Sequence, residues 1–222
     1  MVTDYMRETD DFNVTGGANV SGSFQGFDQG YLVKALAQMG PTFYGVTQLP
    51  YTVTGEKILA LHDKGVRALR FNIKCGGSED ISKLDYFARR VFDLVGWHSE
   101  LYIDAQELPG ITPILQCLPA ISIDHLGLSE LGLPHLVKLV EQGVRVKATG
   151  FGRVELNVEH ALKEIYKANP DALLFGTDLP YTRAKWPFQA TDIALIQEIF
   201  DAKAAEKILF SNAHNWYTRA SS

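Results

Sequence analysis

The sequence predicts an α/β fold, a TIM-like (β/α) barrel, on three observations. Short apolar or β-branched runs alternate with segments of helical spacing, and the alternation recurs roughly every 25 residues from end to end. The loops that would favour the open doubly wound alternative are missing, since no Gly-x-Gly-x-x-Gly follows a strand and no Gly-Lys-Ser/Thr occurs. Strands that alternate with helices imply a parallel sheet covered by helices, which leaves the closed barrel as the expectation.

Taken in order, Val14 to Val20 opens the series as a strand, and Gln29 to Met39 follows with apolar residues at three and four spacing. Phe43 to Leu49 is the second strand, and the helix Gly55 to Lys64 ends on Gly65 and steps straight into the third, Ala68 to Ile73. Lys83 to Gly96 is a helix and Glu100 to Asp104 a strand, after which Pro109 and Pro113 bracket a shorter helix. Then come the strand Ala120 to His125, the helix Leu133 to Gln142 ended by Gly143, and the strand Val144 to Thr149. The helix Val158 to Ala168, the strand Ala172 to Thr177 and the helix Thr191 to Phe200 complete the pattern. That makes seven strands. No linker, charge block or low-complexity stretch offers a boundary, so one domain over residues 1–222 is expected.

With 46% apolar residues in 222, the chain can bury a large core, yet it holds no stretch of about 18 uncharged apolar residues from which to make a membrane span. Asp4, Glu8, Asp10 and Asp11 near the amino terminus argue against a secretion signal, and the cytoplasm is the expected compartment. A formal net charge of -5 without a dense Lys/Arg block gives no footprint for nucleic acid, although a local basic pocket could hold an anionic small molecule. Cys75 and Cys117 lie far apart without metal-ligand spacing and read as reduced thiols packed like small apolar side chains.

In a barrel, polar residues at the carboxyl ends of strands line the active site, so position becomes a functional argument. His125 closes Ala-Ile-Ser-Ile-Asp-His and Asp178 closes Leu-Leu-Phe-Gly-Thr-Asp. A carboxylate there could act as general base towards water and an imidazole could polarise a carbonyl, or the two could be metal ligands. The bland alternatives are a hydrogen-bonded structural histidine and a Thr-Asp-Leu-Pro helix cap. Arg70 lies inside the strand Ala-Leu-Arg-Phe-Asn, and Arg153 follows a strand in Gly-Phe-Gly-Arg-Val. Guanidinium groups at such positions need an anion, either a substrate carboxylate or a local acid such as Asp104 or Glu155. Lys147, also on a strand, fits the packed interior or the mouth. Ser23 and Tyr102 add neutral hydrogen-bonding groups near other strand ends, and no Gly-x-Ser-x-Gly elbow surrounds Ser23 to make it a nucleophile. The other histidines, His62, His98, His135, His160 and His214, fall on helices or strand beginnings and read as structural.

The runs Val-Arg-Ala-Leu-Arg-Phe-Asn, Ile-Asp-His-Leu-Gly, Val-Lys-Ala-Thr-Gly, Phe-Gly-Thr-Asp-Leu-Pro and Asn-Ala-His-Asn-Trp-Tyr, in this order, resemble the amidohydrolase-related metal-dependent hydrolases, and among them the pyrone-dicarboxylate lactonase branch. The resemblance spans nearly the whole chain. It implies that Asp178 matches the base for hydrolytic water and that His125 lies beside the scissile carbonyl. It also implies that Arg70 and Arg153 match arginines holding substrate carboxylates, with Ser23 and Tyr102 as further substrate contacts. That branch needs no divalent metal, so no cofactor is expected, the alternative being a weak divalent ion at His125 and Asp178.

Two departures stand out. The family begins with a strand carrying His-x-His, which this sequence lacks, and the chain starts within the helix that normally follows it. A barrel of seven strands would have two unpaired edges and invite homo-oligomer formation, unless a rearranged amino-terminal segment replaces the missing strand and restores eight. Where the branch places another Arg after the Arg70 strand, this chain has Cys75-Gly76-Gly77. The expected function is hydrolysis of a carboxylate-bearing lactone or related cyclic ester by Asp-activated water without metal, the oxyanion being stabilised by His125 and the arginines. Two alternatives stand beside it: a catalytically silent barrel that binds a small organic acid, and a metal-dependent hydrolase or decarboxylase completed by a partner's strand.

Overall fold

All seven expected strands are present in the computed structural model, which describes residues 2–219. They are β1 Gly17–Val20, β2 Phe43–Thr47, β3 Val66–Asn72, β4 His98–Tyr102, β5 Ile121–Ile123, β6 Arg145–Ala148 and β7 Leu173–Phe175. Between them run α1 Val2–Glu8, α2 Gly30–Met39, α3 Gly55–His62, α4 Leu84–Val95, α5 Thr112–Leu115, α6 Leu133–Val140, α7 Val158–Ala168, α8 Ala190–Ile199, α9 Ala202–Glu206 and α10 Asn212–Thr218. The chain divides into two compact units. The first runs to Leu101 and takes in Leu118–Ala120; the second holds Tyr102–Cys117 and Ile121–Arg219.

In the first unit β1 pairs parallel with β2, Gly17 opposite Phe43 and Val20 opposite Val46, and β2 pairs parallel with β3 across an irregularity at Gly45 and Val46. At Gly45 a Cβ would stand 2.9 Å from Leu36 Cδ1 and 3.0 Å from Val66 Cγ2, so a side chain there would make these neighbours shift. Its absence lets α2 sit close on the sheet. Helix α3 starts where the sequence places a cap, with Thr54 Oγ1 accepting from Lys57 N at 3.3 Å. Helix α4 ends on Gly96 at φ 69, the left-handed conformation that glycine enters at least cost. Its apolar face buries Phe87, Ala88, Val91 and Val95, and Phe87 meets Phe71 of β3 edge to face with ring centroids 6.4 Å apart.

In the second unit β5, β6 and β7 pair parallel in chain order, with Ile123 opposite Val146 and Val146 opposite Leu173. Helices α6 and α7 bury Leu136, Leu139, Leu162 and Ile165 on their apolar faces. Asn157 Oδ1 accepts from His160 N at 3.0 Å and so caps α7. The carboxyl-terminal run quoted above as Asn-Ala-His-Asn-Trp-Tyr forms α10. Its Asn212 is buried and donates from Nδ2 to the carbonyls of Pro170 at 3.1 Å and Leu173 at 3.0 Å, which ties α10 to β7. The guanidinium groups of Arg145 and Arg219 lie over the Trp216 ring, at 5.4 Å and 4.0 Å. Burial, and then the nearby charge of Arg145, pushes Arg219 down to about 10.

Three details differ from the sequence expectation. Pro109 sits inside a 3-10 turn, Ala105–Gly110, and Pro113 at the start of α5, so the two prolines do not bracket one helix. Both cysteines are free, but they are exposed rather than packed, Cys75 in a turn where Asn72 Oδ1 accepts from its N–H at 3.0 Å. Beyond Phe200 the chain adds α9, a π-helical turn Lys207–Ser211 and α10, whose short apolar spacings carry too little periodicity to be read. No helix among the described residues is long and apolar enough to cross a membrane.

Replacing Phe87 by Ala should remove about 3–5 kcal/mol of stability, the usual cost of an emptied aromatic core position. Urea unfolding of Phe87→Ala beside the parent checks it, and a loss below about 1 kcal/mol would mean that the α4 face is not the core of its unit.

Candidate active site

Four of the six residues singled out above meet in the second unit. His125 lies two residues beyond β5, Tyr102 ends β4, Arg153 follows β6, and Asp178 stands three residues beyond β7. His125, read from sequence as the last residue of its strand, lies beyond β5, and Asp178 lies beyond β7 as expected. Each occupies a tight turn after the strand, at φ 50 and φ 56. A non-glycine residue in this region costs energy and persists only where its surroundings hold it there.

At His125 the left-handed backbone continues through Leu126, Gly127 and Leu128, at φ 51, 74 and 71. Left-handed geometry costs roughly 1–2 kcal/mol for each residue with a Cβ. Burial offsets it, because Leu126 and Leu128 are both in the core. Gly127 lies against Ala105, whose Cβ would be 2.7 Å from a Cβ at that position. Ser129 Oγ donates to Asp104 Oδ1 at 2.5 Å, and Glu155 N donates to the Leu128 carbonyl at 2.7 Å. The turn is therefore clamped on both sides.

Within the site, Arg153 Nε donates to Asp178 Oδ2 in a short ion pair. His125 Nε2 is 4.0 Å from Asp178 Oδ1, and its other nitrogen, Nδ1, is 2.8 Å from Thr149 Oγ1 and 3.3 Å from the Thr149 carbonyl. The Tyr102 ring stands edge-on to the imidazole with centroids 5.1 Å apart. Burial alone would lower the Arg153 guanidinium, but hydrogen bonding to Asp178, the charge of Asp178 and the Tyr102 hydroxyl together raise it above its ordinary value. Arg153 thus pairs with neither of the acids expected from sequence. Asp104 is engaged by Ser129, and Glu155 by Lys185 at 3.2 Å. Lys147 is buried and pairs with Asp124 at 3.3 Å, next to His125 in sequence.

Gly150 is where these side chains converge. A Cβ there would lie 2.8 Å from Asp178 Oδ2, 2.8 Å from His125 Nδ1 and 3.0 Å from Arg153 Cδ, and the residue sits at φ 61. Neither Gly150 nor Thr149 was singled out from sequence. Both belong to the run Val-Lys-Ala-Thr-Gly, in which a Gly directly after a strand is the only signal of a close approach.

The other two residues belong to the first unit. Arg70, on β3, is 8% exposed and donates from Nη1 to the Ser21 carbonyl at 2.9 Å. Ser23 lies two residues further on and begins a 3-10 turn, Ser23–Gln25. Its backbone runs so close to Gly77 that any Cβ there would overlap the Ser23 carbonyl, and Gly77 has φ 80. The Cys75-Gly76-Gly77 segment, met where another Arg was expected, thus has a packing requirement of its own.

As a metal site the donors do not fit. His125 and Asp178 supply two ligands, Asp178 already holds Arg153, and no group of three or more His, Cys, Asp or Glu able to hold a metal ion forms among the described residues. A zinc centre ordinarily takes three or four protein ligands.

A protein-family model described as amidohydrolase matches residues 2–219. A 2-pyrone-4,6-dicarboxylate hydrolase of Comamonas testosteroni is 25% identical over 232 residues, covering 89% of this chain and 74% of that protein. Among solved structures, an Acinetobacter baumannii protein described as a probable 2-pyrone-4,6-dicarboxylic acid hydrolase, with citric acid bound, matches at a TM-score of 0.85 and 22% identity, over 99% of this chain and 89% of its own. An Agrobacterium tumefaciens protein matches at 0.85 and 20% identity, over 98% and 85%. At such identities the likeness is one of fold, and the seven parallel strands with their helices fall in the TIM-barrel fold class of these neighbours.

Gly150→Ala should cost about 1–3 kcal/mol through its left-handed backbone and push His125 and Asp178 apart. Urea unfolding and a crystal structure of the variant check this. Unchanged stability with an unmoved His125 would refute the convergence at Gly150.

Proposed function

Since this chain belongs to the amidohydrolase family, we propose that it hydrolyses a lactone or related cyclic ester bearing a carboxylate, without a metal ion. One observation carries the reading: the Asp178 carboxylate, the His125 imidazole and the Arg153 side chain converge on the side-chain-free face of Gly150. Asp178 is the carboxylate that takes a proton from water. Its Oδ2 is held by Arg153, which leaves Oδ1, the oxygen nearer His125, directed at the reacting centre. Arg153 carries five N–H donors in a planar fork, and Asp178 occupies the one at Nε, so the same guanidinium has donors left for a substrate carboxylate. Tyr102, packed on His125, adds a neutral hydroxyl. The two-donor arrangement of His125 and Asp178 supports chemistry by general base and fixed charge rather than by a metal-bound hydroxide. The description of the Comamonas relative as a pyrone dicarboxylate hydrolase supports the substrate class.

The test mixes purified protein with a panel of carboxylated lactones and follows ring opening. Turnover should survive treatment with a chelator and fall at least a hundredfold in Asp178→Asn, the scale of a lost general base. Turnover abolished by the chelator and restored by a divalent ion would move the assignment to a metal enzyme. Folded protein without turnover across the panel would leave a silent barrel.

A further inference from the structure

We infer that Thr149 is a positioning residue that keeps neutral His125 protonated on Nδ1, making Nε2 a proton acceptor on the side of Asp178. Nδ1 faces two oxygens of one residue, Thr149 Oγ1 at 2.8 Å and the Thr149 carbonyl at 3.3 Å. A hydroxyl can donate or accept, but a carbonyl only accepts, and a bare ring nitrogen there would set its lone pair against the carbonyl's. A hydrogen on Nδ1 satisfies both oxygens. His125 is 6% exposed and Thr149 9%, so water competes little for either. The ring has few ways to turn over. Tyr102 stands edge-on to it, and the clamped left-handed turn fixes its backbone.

The chemical consequence rests on the hydrolase reading. An imidazole with its hydrogen on Nδ1 cannot donate from Nε2 to a carbonyl oxygen, so His125 does not serve as the oxyanion's hydrogen-bond donor expected from sequence while it is neutral. It accepts instead. Hydrolysis by water has two protons to place. As the water oxygen bonds to the carbonyl carbon, one proton passes to Asp178. It is handed to the ring oxygen when the carbon–oxygen bond breaks and leaves its electron pair there. The second proton, on the newly formed carboxyl group, passes to Nε2, which leaves the product as a carboxylate and His125 as an imidazolium that releases the proton to solvent. Asp178 Oδ1, at 4.0 Å, stabilises that imidazolium while it lasts.

The test is a long-range proton–nitrogen spectrum of uniformly nitrogen-15-labelled protein, with His125 assigned through His125→Gln and the pH set where its ring is neutral. The parent and Thr149→Ser should show the Nδ1-protonated signature, and Thr149→Val a mixture of tautomers. In lactone turnover, Thr149→Val should lose about tenfold in kcat with KM unchanged, and Thr149→Ser should restore it. A parent ring protonated on Nε2, or a Thr149→Val spectrum like that of the parent, would overturn the role of Thr149. The spectrum needs no substrate. If no lactone is opened while the spectrum is as expected, it is the hydrolase reading that fails.

Discussion

The register of β5, β6 and β7 is the constraint on which the site depends. Parallel pairing sets Ile123, Val146 and Leu173 side by side, so each strand ends at the same side of the sheet and each following turn begins at a comparable height. His125, Thr149 with Gly150, and Asp178 are the residues those turns deliver. A slip of one residue would exchange the two faces of a strand, setting Lys147 where Val146 stands, and the burial of Ile123, Val146 and Leu173 in their present places holds the register. The candidate site is thus positioned by apolar residues outside it.

The sheet delivers the turns to one place, and the turns then spend conformational energy to aim their side chains. His125, Leu126, Leu128 and Asp178 all stand in a backbone region that L residues avoid. From His125 to Leu128 such geometry survives because buried leucines, the Ser129 to Asp104 hydrogen bond and the backbone link from Glu155 to Leu128 over-determine it. Strain held by its surroundings in this way marks candidate reactive positions more sharply than the presence of a histidine or an aspartate alone.

Much of this was legible in the sequence, and the reasons it was or was not are physical. Strands with a strong apolar run, such as Val66–Asn72, and helices with a clean amphipathic face, such as Val158–Ala168, are decided by short-range patterns. His125 and Asp178 could be picked out because a polar residue directly after such a run has few other reasons to be there. Their partners could not. That Arg153 pairs with Asp178 rather than Glu155, and that Gly150 is bare so that three side chains can meet, are facts of three-dimensional approach between segments more than 20 residues apart. The exposure of Cys75 and Cys117 was missed for the opposite reason, since composition favours burial of free cysteine and only the local turn decides otherwise.

In the proposed function one guanidinium, that of Arg153, would both steady Asp178, as the ion pair does here, and offer its remaining donors to an incoming anion, so that recognition and reactivity would share a single side chain. A mutation to Lys, with one ammonium point charge in place of a planar fork, would disturb both at once. A change at Arg153 would therefore alter the proposed base and the proposed anion contact together, so the two roles cannot be tuned separately through this side chain.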